Sequence, residues 1–180
     1  MSIQGKELIK YANKYYIETG SFHGDGIQDA LDAGFEKVIS IEITPVFYDE
    51  CIERFKNDDR VEIILGDSVI KLPKIIENIK HKCVIMLDAH YMENLSTHNG
   101  SIVPLIEELE AITEHARKYN DTIMIDDMRC WTEADFYYIH KIHSLTNQKL
   151  IDKVLEINKN YTISFDDGHI PNDVLVAEIK

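Results

Sequence analysis

Short apolar runs alternate along the chain with longer segments in which apolar residues recur at helical spacing. The first run ends in an acid, Glu18, and later ones cover Lys37–Glu42, Val61–Leu65, Cys83–Leu87 and Thr122–Ile125. Between these runs, apolar residues lie three and four positions apart, as on one side of an amphipathic helix. Runs that are apolar throughout are typical of strands buried between helices, so the pattern predicts a parallel sheet covered on both faces.

Capping residues predict where several helices begin and end. We expect Gly34 at the C-terminus of the first long helix, and Thr44 followed by Pro45 at the start of the second. Pro73 predicts the start of a further short helix. Thr146 predicts the start of a helix that reaches about Ile157.

The two ends of the chain complete the predicted domain. Residues 1–14 predict one short helix. The final apolar runs, 161–165 and 174–177, are separated by a short turn and therefore predict an antiparallel hairpin. Because no repeat or linker interrupts the alternation of strands and helices, residues 1–180 are expected to form a single α/β domain.

Composition narrows the range of partners. The 180 residues carry a net charge of −13, and an acidic surface repels phosphate backbones, so nucleic-acid binding is not expected. No apolar run has the length of a membrane span, and the N-terminus lacks the apolar core of a signal peptide, so no membrane contact is expected. Three widely spaced cysteines are typical of free thiols in a reducing compartment, which predicts a cytoplasmic protein.

A glycine-rich segment follows the first apolar run. Gly20, Gly24 and Gly26 have the spacing G-x-x-x-G-x-G, which differs from the G-x-G-x-x-G pattern that binds a pyrophosphate. Glu18, just before the first glycine, would repel a phosphate and attract an amino group. S-adenosylmethionine (SAM) has this chemistry, because it carries an ammonium and a sulfonium but no phosphate. The alternative is a loop that only makes a tight turn from strand to helix.

Polar side chains also follow the next two apolar runs. Glu42 ends the second run, where an acid can accept both hydroxyls of a ribose; the alternative is a solvated carboxylate. Asp67 and Ser68 follow the third run, where they would face the amino group of an adenine. The alternative for Asp67 is the N-cap of a helix.

Taken in order, these motifs resemble those of the class I SAM-dependent methyltransferases. The resemblance is carried by residues 18–26, 41–42, 66–68, 87–91 and 125–127. It implies a Rossmann-like three-layer sandwich with a mostly parallel seven-stranded sheet, ordered 3-2-1-4-5-7-6, and an antiparallel C-terminal hairpin. It also implies that nine residues bind SAM: Glu18, Gly20, Ser21, Gly24, Gly26, Glu42, Asp67, Ser68 and Asp88. Of these, Glu18 and Gly20 are expected near the methionine part of SAM.

Aspartates at the ends of the fourth and fifth runs are similar to the acids of metal-dependent O-methyltransferases. These aspartates are Asp88, Asp126 and Asp127, and the resemblance makes them metal ligands. Carboxylates packed together would repel one another, and Mg²⁺ or another divalent cation would relieve this. The cation would also favour the alkoxide of an acceptor hydroxyl. The alternative is that Asp126 and Asp127 cap the next segment and that Asp88 is a lone carboxylate.

Several neighbouring residues have two interpretations each. His90 is a catalytic base or an additional metal ligand, or else an exposed loop histidine. Arg129 orients an anionic substrate, or else pairs with Asp127. Four further residues are weaker candidates, the aromatic ones for a pocket wall and the histidines for a metal: Tyr91, Trp131, His140 and His143.

Two departures from the family pattern concern the methyl acceptor. Only about fifteen residues precede the first strand, too few for the long N-terminal lid helices of many O-methyltransferases. The lysine that serves as a base in catechol-type enzymes is also missing, and Tyr91, Met92 and Glu93 stand there instead. We therefore expect loops, or a second subunit in a homodimer, to complete the acceptor site.

The leading hypothesis is a SAM-dependent enzyme that methylates a hydroxyl of a small molecule or saccharide, with metal assistance and with Asp88 and His90 as catalytic residues. The first alternative is a scaffold module that has the same fold and binds SAM without transferring its methyl group. A nicotinamide-dependent oxidoreductase is a weaker alternative, because the glycine spacing argues against it.

Overall fold

The computed structural model describes residues 5–89, 103–131 and 145–180. Seven strands lie in this part of the chain: β1 Tyr15–Thr19, β2 Lys37–Glu42, β3 Val61–Leu65, β4 Cys83–Leu87, β5 Thr122–Ile125, β6 Thr162–Asp166 and β7 Val174–Glu178. They form one sheet in the order β3-β2-β1-β4-β5-β7-β6. Strands β1 to β5 pair in parallel, and β7 is antiparallel to both β5 and β6. The predicted topology, including the C-terminal hairpin, is confirmed.

Helices connect the strands and cover both faces of the sheet. They are α1 Gly5–Leu8, α2 Asp25–Ala33, α3 Pro45–Phe55, α4 Ser68–Asn78, α5 Leu105–Tyr119 and α6 Asn147–Ile157, with short 3-10 helices at Ile9–Tyr11 and Met128–Trp131. The predicted helix ends at Gly34, Pro45 and Thr146 are confirmed. Among the residues described, no helix combines the length and the apolarity needed to cross a lipid bilayer.

Two predicted helices differ from the structure. Within the described part of residues 1–14, α1 passes into a 3-10 turn and the chain becomes extended at Ala12, so the single helix is shorter than predicted. The prediction that Pro73 begins a helix is wrong, because α4 begins at Ser68 and Pro73 lies inside it. Asp67 explains this start, since its side chain accepts a hydrogen bond of 2.9 Å from the backbone N–H of Val69.

Side chains alternate between the two faces of the sheet, and each face has its own core. On one face, residues such as Ile17 and Ile85 pack with the apolar sides of α4, α5 and α6. On the other face, Tyr16, Val38 and Val84 pack with α2 and α3. The sheet is therefore the middle layer of three, as predicted. Because the alternation continues to the strand ends, it decides which side chains there share a face.

A buried polar cluster stabilises the edge of the sheet at which β4 and β5 begin. The Asp121 carboxylate accepts a 2.8 Å hydrogen bond from the backbone N–H of Cys83, and it lies 2.6 Å from Nδ1 of His115. Nε2 of His115 lies 3.0 Å from the carbonyl oxygen of Ile79, and the Tyr161 hydroxyl donates to the backbone carbonyl of Asp121. The cluster therefore joins both strands to α5 and to the end of α4.

We expect Asp121→Ala to lower the free energy of unfolding by about 3 kcal/mol, because it leaves the buried His115 ring and the Cys83 N–H without their partner. Asp58→Ala is the matched control, since Asp58 pairs with Arg60 at the surface, and it should cost less than about 1 kcal/mol. Urea denaturation of both variants measures the two values. Equal losses would show that the buried cluster has no special role in stability.

Candidate functional site

Acidic and hydroxyl side chains lie on one face of the sheet, at the edge where the parallel strands end. In the parallel pairing of β1 with β2, Glu18 lies opposite Ser40, so the two side chains point to the same face. Glu42 lies two positions after Ser40 and therefore points to this face as well. The same alternation, continued beyond Met86 of β4 and Met124 of β5, places two acids on this face. They are Asp88 and Asp126. Four adjacent strands thus contribute to one row of polar groups.

Glu18 is almost fully buried, with 3% of its surface exposed. Its Oε1 accepts a 2.7 Å hydrogen bond from the Ser40 hydroxyl, which in turn lies 2.5 Å from the Ser21 hydroxyl. Burial raises the pKa of Glu18 to about 8, the charges of Glu42 and Asp29 add to this rise, and the bond from Ser40 opposes it. In the absence of a ligand, the Glu18 carboxyl is therefore mostly neutral at pH 7.

Two of the predicted glycines provide space that the site requires. A Cβ on Gly26 would lie 2.5 Å from Oε2 of Glu18, so only glycine leaves room for this carboxylate. Gly20 has a φ of +86°, and a Cβ there would lie 2.8 Å from the backbone oxygen of Asp88. Gly24 instead lies against α3, where a Cβ would meet the Phe55 ring at 2.6 Å. Gly26 thus leaves room for the Glu18 carboxylate, whereas Gly24 leaves room for the Phe55 ring.

Glu42 connects the glycine loop to the start of α3. Its Oε2 accepts a 2.9 Å hydrogen bond from the Phe22 N–H, and its Oε1 accepts a 2.7 Å bond from the Thr44 N–H. Glu42 is 4% exposed, so it is not the solvated carboxylate of the alternative interpretation. Each carboxylate oxygen has more than one acceptor site, so these two bonds leave part of the acceptor capacity of Glu42 unused.

Phe22 adopts a strained backbone conformation beside this acid. Its φ of 46° is unusual for a bulky residue and costs on the order of 1 kcal/mol or more. The hydrogen bond to Glu42 holds it there, together with a 3.2 Å contact from the Cys51 sulfur to the Phe22 carbonyl. The Phe22 ring packs edge-on against Phe47, with 4.6 Å between ring centroids, and is 39% exposed. The strain thus keeps an aromatic surface next to the site.

Asp67 and Ser68 lie at the N-terminus of α4, where Asp67 is the helix cap that one interpretation predicts. Behind them, Glu108 of α5 is fully buried, and the hydroxyls of Ser68 and Thr19 lie beside its carboxylate. Burial raises the pKa of Glu108 to about 7, although the nearby hydroxyls of Ser68 and Thr19 oppose this rise. An acid that titrates near pH 7, rather than near pH 4, therefore lies behind the start of α4.

The acids at the ends of β4 and β5 affect one another's pKa. Burial raises the pKa of Asp88 well above its usual range, and the charges of Asp126, Asp127 and Glu18 raise it further. Asp126 is 4% exposed, and its Oδ1 accepts a 2.8 Å hydrogen bond from the Asp127 N–H. The Asp88 carboxyl therefore binds a proton more tightly than an ordinary aspartate carboxyl does.

The acids whose oxygens converge are not the set predicted from the sequence. In the described part of the chain, ligand atoms of Asp126, Asp127 and Asp173 lie within 4.8 Å of one another, and Asp88 is outside this group. The Arg129 guanidinium lies between two of them: its Nη1 is 2.5 Å from Asp127 and also bonds to Asp173. The interpretation in which Arg129 pairs with Asp127 is confirmed.

Some predicted residues do not enter the site or cannot be assigned to it. Trp131 is 1% exposed and belongs to the core next to α5 and α6, so it does not line a pocket. Four other candidates lie outside the described residues: His90, Tyr91, His140 and His143. Their roles stay predictions.

Three polar residues of the site are absent from the sequence-based prediction. Ser40 is a hydroxyl within the apolar run of β2 and lies opposite Glu18. Glu108 lies on the same helical side as Leu105, Leu109 and Ile112, so an acid on an apolar stripe is the signal that could have identified it. Asp173 has no comparable signal, because it meets Arg129 across 44 residues of chain.

Known proteins share this fold at low sequence identity. No protein-family model and no curated protein sequence matches the chain. Among solved structures, SAH-bound methyltransferase PaMTH1 of Podospora anserina is 14% identical, covering 98% of this chain and 77% of that chain, with a TM-score of 0.64. An O-methyltransferase from Bacillus cereus in complex with SAH is 15% identical. The match covers 98% of this chain and 78% of that chain, with a TM-score of 0.58. A proposed rRNA methylase from Clostridium thermocellum is 14% identical. The match covers 97% of this chain and 94% of that chain, with a TM-score of 0.60. The chain thus has the Rossmann-like fold of SAM-dependent methyltransferases.

We expect Gly26→Ala to destabilise the protein, because its Cβ would clash with the Glu18 carboxylate. In a Glu18→Ala background the clash disappears, and the same change should be neutral or stabilising by up to about 1 kcal/mol, since alanine favours a helix over glycine. Denaturant unfolding of both single variants and the double variant gives the coupling energy. Equal effects of Gly26→Ala in the two backgrounds would show that this glycine does not make room for Glu18.

Proposed function

We propose that this protein is a SAM-dependent methyltransferase that acts on a small molecule. The observation that carries the proposal is the pair of buried carboxylates, Glu18 and Glu42, at the ends of adjacent strands β1 and β2. A buried acid with a raised pKa favours a cationic ligand and disfavours a phosphate. A second buried acid with free acceptor capacity suits ligand hydroxyls.

The residues present fit this cosubstrate. Glu18 would hold the ammonium of the methionine part, Gly26 leaves room for the Glu18 carboxylate, and Gly20 lets the loop pass close to the Asp88 backbone. Glu42 would accept the ribose hydroxyls, while Asp67 and Ser68 would face the adenine. Ser21, Gly24 and Asp88 complete the predicted binding set at the same edge of the sheet. When bound, SAM supplies a methyl group on a positively charged sulfur, which is a strong electrophile.

For the acceptor, we favour a hydroxyl of a small molecule or saccharide. Methyl transfer to a hydroxyl oxygen requires loss of the hydroxyl proton, and Asp88 is the candidate acceptor, because burial and the neighbouring acids raise its pKa and so strengthen its affinity for a proton. His90 is the other candidate base. The net charge of −13 disfavours a nucleic-acid acceptor, although one similar structure is a proposed rRNA methylase.

A divalent cation fits the described acids poorly. Of the predicted ligands Asp88, Asp126 and Asp127, the first is outside the converging group and the last is paired with Arg129. We therefore assign no step to a metal ion. We further propose that the protein acts in the cytoplasm, in agreement with its three free cysteines, and that it forms a homodimer.

We expect S-adenosylhomocysteine to bind and to release close to one proton at pH 7, because the ligand ammonium should lower the pKa of Glu18 from about 8. Calorimetric titration in buffers of different ionisation enthalpy measures the proton count. Glu18→Gln should abolish the release and weaken binding by about 10- to 100-fold. Glu36→Gln makes the same substitution at an exposed position and should change neither value. An absence of binding would refute the proposal.

We expect methyl-labelled SAM to transfer its label to at least one member of a panel of hydroxylated small molecules and saccharides, and not to a structured RNA. Asp88→Asn should lower the rate by on the order of 100-fold, because the proton acceptor is lost. Asp152→Asn, on the exposed side of α6, should leave the rate unchanged. If S-adenosylhomocysteine binds but no acceptor is labelled, the chain is a binding module rather than an enzyme.

A further inference from the structure

Arg129 lies inside the acidic cluster at the end of β5. Its Nη1 bonds to both Asp127 and Asp173, and its backbone N–H donates a 3.0 Å hydrogen bond to Oδ1 of Asp173. These two acids are thus held by one cation that belongs to the chain itself. We propose that the Arg129 guanidinium takes the place of a divalent cation, so that the cluster is complete without metal and becomes a metal site when Arg129 is removed.

Burial makes a cation necessary at this point. The Asp173 side chain has no exposed surface, and the side chain of Asp127 is 12% exposed. Carboxylates in such surroundings are costly unless a positive group and hydrogen bonds compensate them. Arg129 supplies both, and its own side chain is 19% exposed. The guanidinium also keeps its charge at any ordinary pH, so the compensation does not depend on a protonation step.

The backbone fixes the arginine in this position. Asp127 has a φ of 58°, and the backbone N–H of Met128 donates a 2.8 Å hydrogen bond to the carbonyl oxygen of Asp173. The turn after β5 is thereby tied to the residue that precedes β7. Because Arg129 follows directly in the 3-10 helix, its side chain reaches both acids without leaving this turn.

Arginine and a divalent cation exclude each other here. A small divalent cation binds carboxylate oxygens at about 2.0–2.6 Å and requires several of them at once. The ligand atoms of Asp126, Asp127 and Asp173 lie within 4.8 Å of one another, which is close enough to share one ion. Two of the three acids already bond to the guanidinium, so an ion could bind all three only if Arg129 left the cluster.

The inference concerns the same edge of the sheet as the proposed methyl transfer, but it rests only on these side chains. It predicts that this cluster, among the described residues, needs no metal, whichever acceptor the protein uses. Metal binding is measurable in the full chain without SAM and without turnover, so the failure of one proposal is distinguishable from the failure of the other.

The test is a titration with Mn²⁺, followed by electron paramagnetic resonance and by thermal unfolding. The wild-type protein should bind no Mn²⁺ at the cluster, and neither Mn²⁺ nor EDTA should change its melting temperature. Arg129→Met should melt at a lower temperature, bind about one Mn²⁺ per chain at least tenfold more tightly than wild type, and regain thermal stability with the ion. Adding Asp173→Asn to that variant should abolish the binding.

Arg60→Met is the matched control, because Arg60 pairs with Asp58 at the surface, and it should not create a Mn²⁺ site. If Arg129→Met does not fold alone, refolding it and Arg129→Gln with Mn²⁺ present provides the same comparison. Stoichiometric Mn²⁺ binding by the wild-type protein that is lost in Asp173→Asn would overturn the proposal. So would an Arg129→Met protein that folds and stays free of Mn²⁺.

Discussion

The main constraint on this structure is the negative charge that a parallel sheet collects at one edge. Strands β1, β2, β4 and β5 run in the same direction, so the acids that follow them lie side by side on the same face. Their charges cannot be solvated fully, because Glu18, Glu42 and Asp126 are each less than 5% exposed. The fold must compensate these charges, and it does so in more than one way.

Three kinds of compensation occur along this edge. Glu18 takes up a proton near neutral pH, as its pKa of about 8 indicates. Glu42 accepts backbone hydrogen bonds from Phe22 and Thr44, so its charge also shapes the glycine loop and the start of α3. Asp127 is paired with Arg129. These three compensating groups are a proton at Glu18, backbone N–H groups at Glu42 and a guanidinium at Asp127. They differ in how easily a ligand can replace them, and the proton is the most readily displaced.

Much of the fold could be predicted from the sequence, because strands that are buried on both faces leave uninterrupted apolar runs, as in Cys83–Leu87. Local caps were also informative, but Pro73 was misleading, since the cap at Asp67 and the burial of Leu72 outweigh the cost of a proline within α4. The site was predicted only in part. Glu18 and Glu42 end strands and are visible in the pattern, whereas the contact between Arg129 and Asp173 depends on how the hairpin returns to the sheet.

The buried acids at the end of β1 and at the end of β5 are compensated differently, so the two ends of the site differ in their electrostatic properties. At β1, Glu18 has no cation among its hydrogen-bond partners in the described part of the chain, and it is neutral when it holds a proton. A ligand that brings its own positive charge gains most there, because the ionised Glu18 would then have a partner in a place that water does not reach. At β5, Arg129 already supplies the charge. A second cation would therefore gain less at β5 than at β1, so the two ends of this row of acids differ in their electrostatic preference for a positively charged ligand.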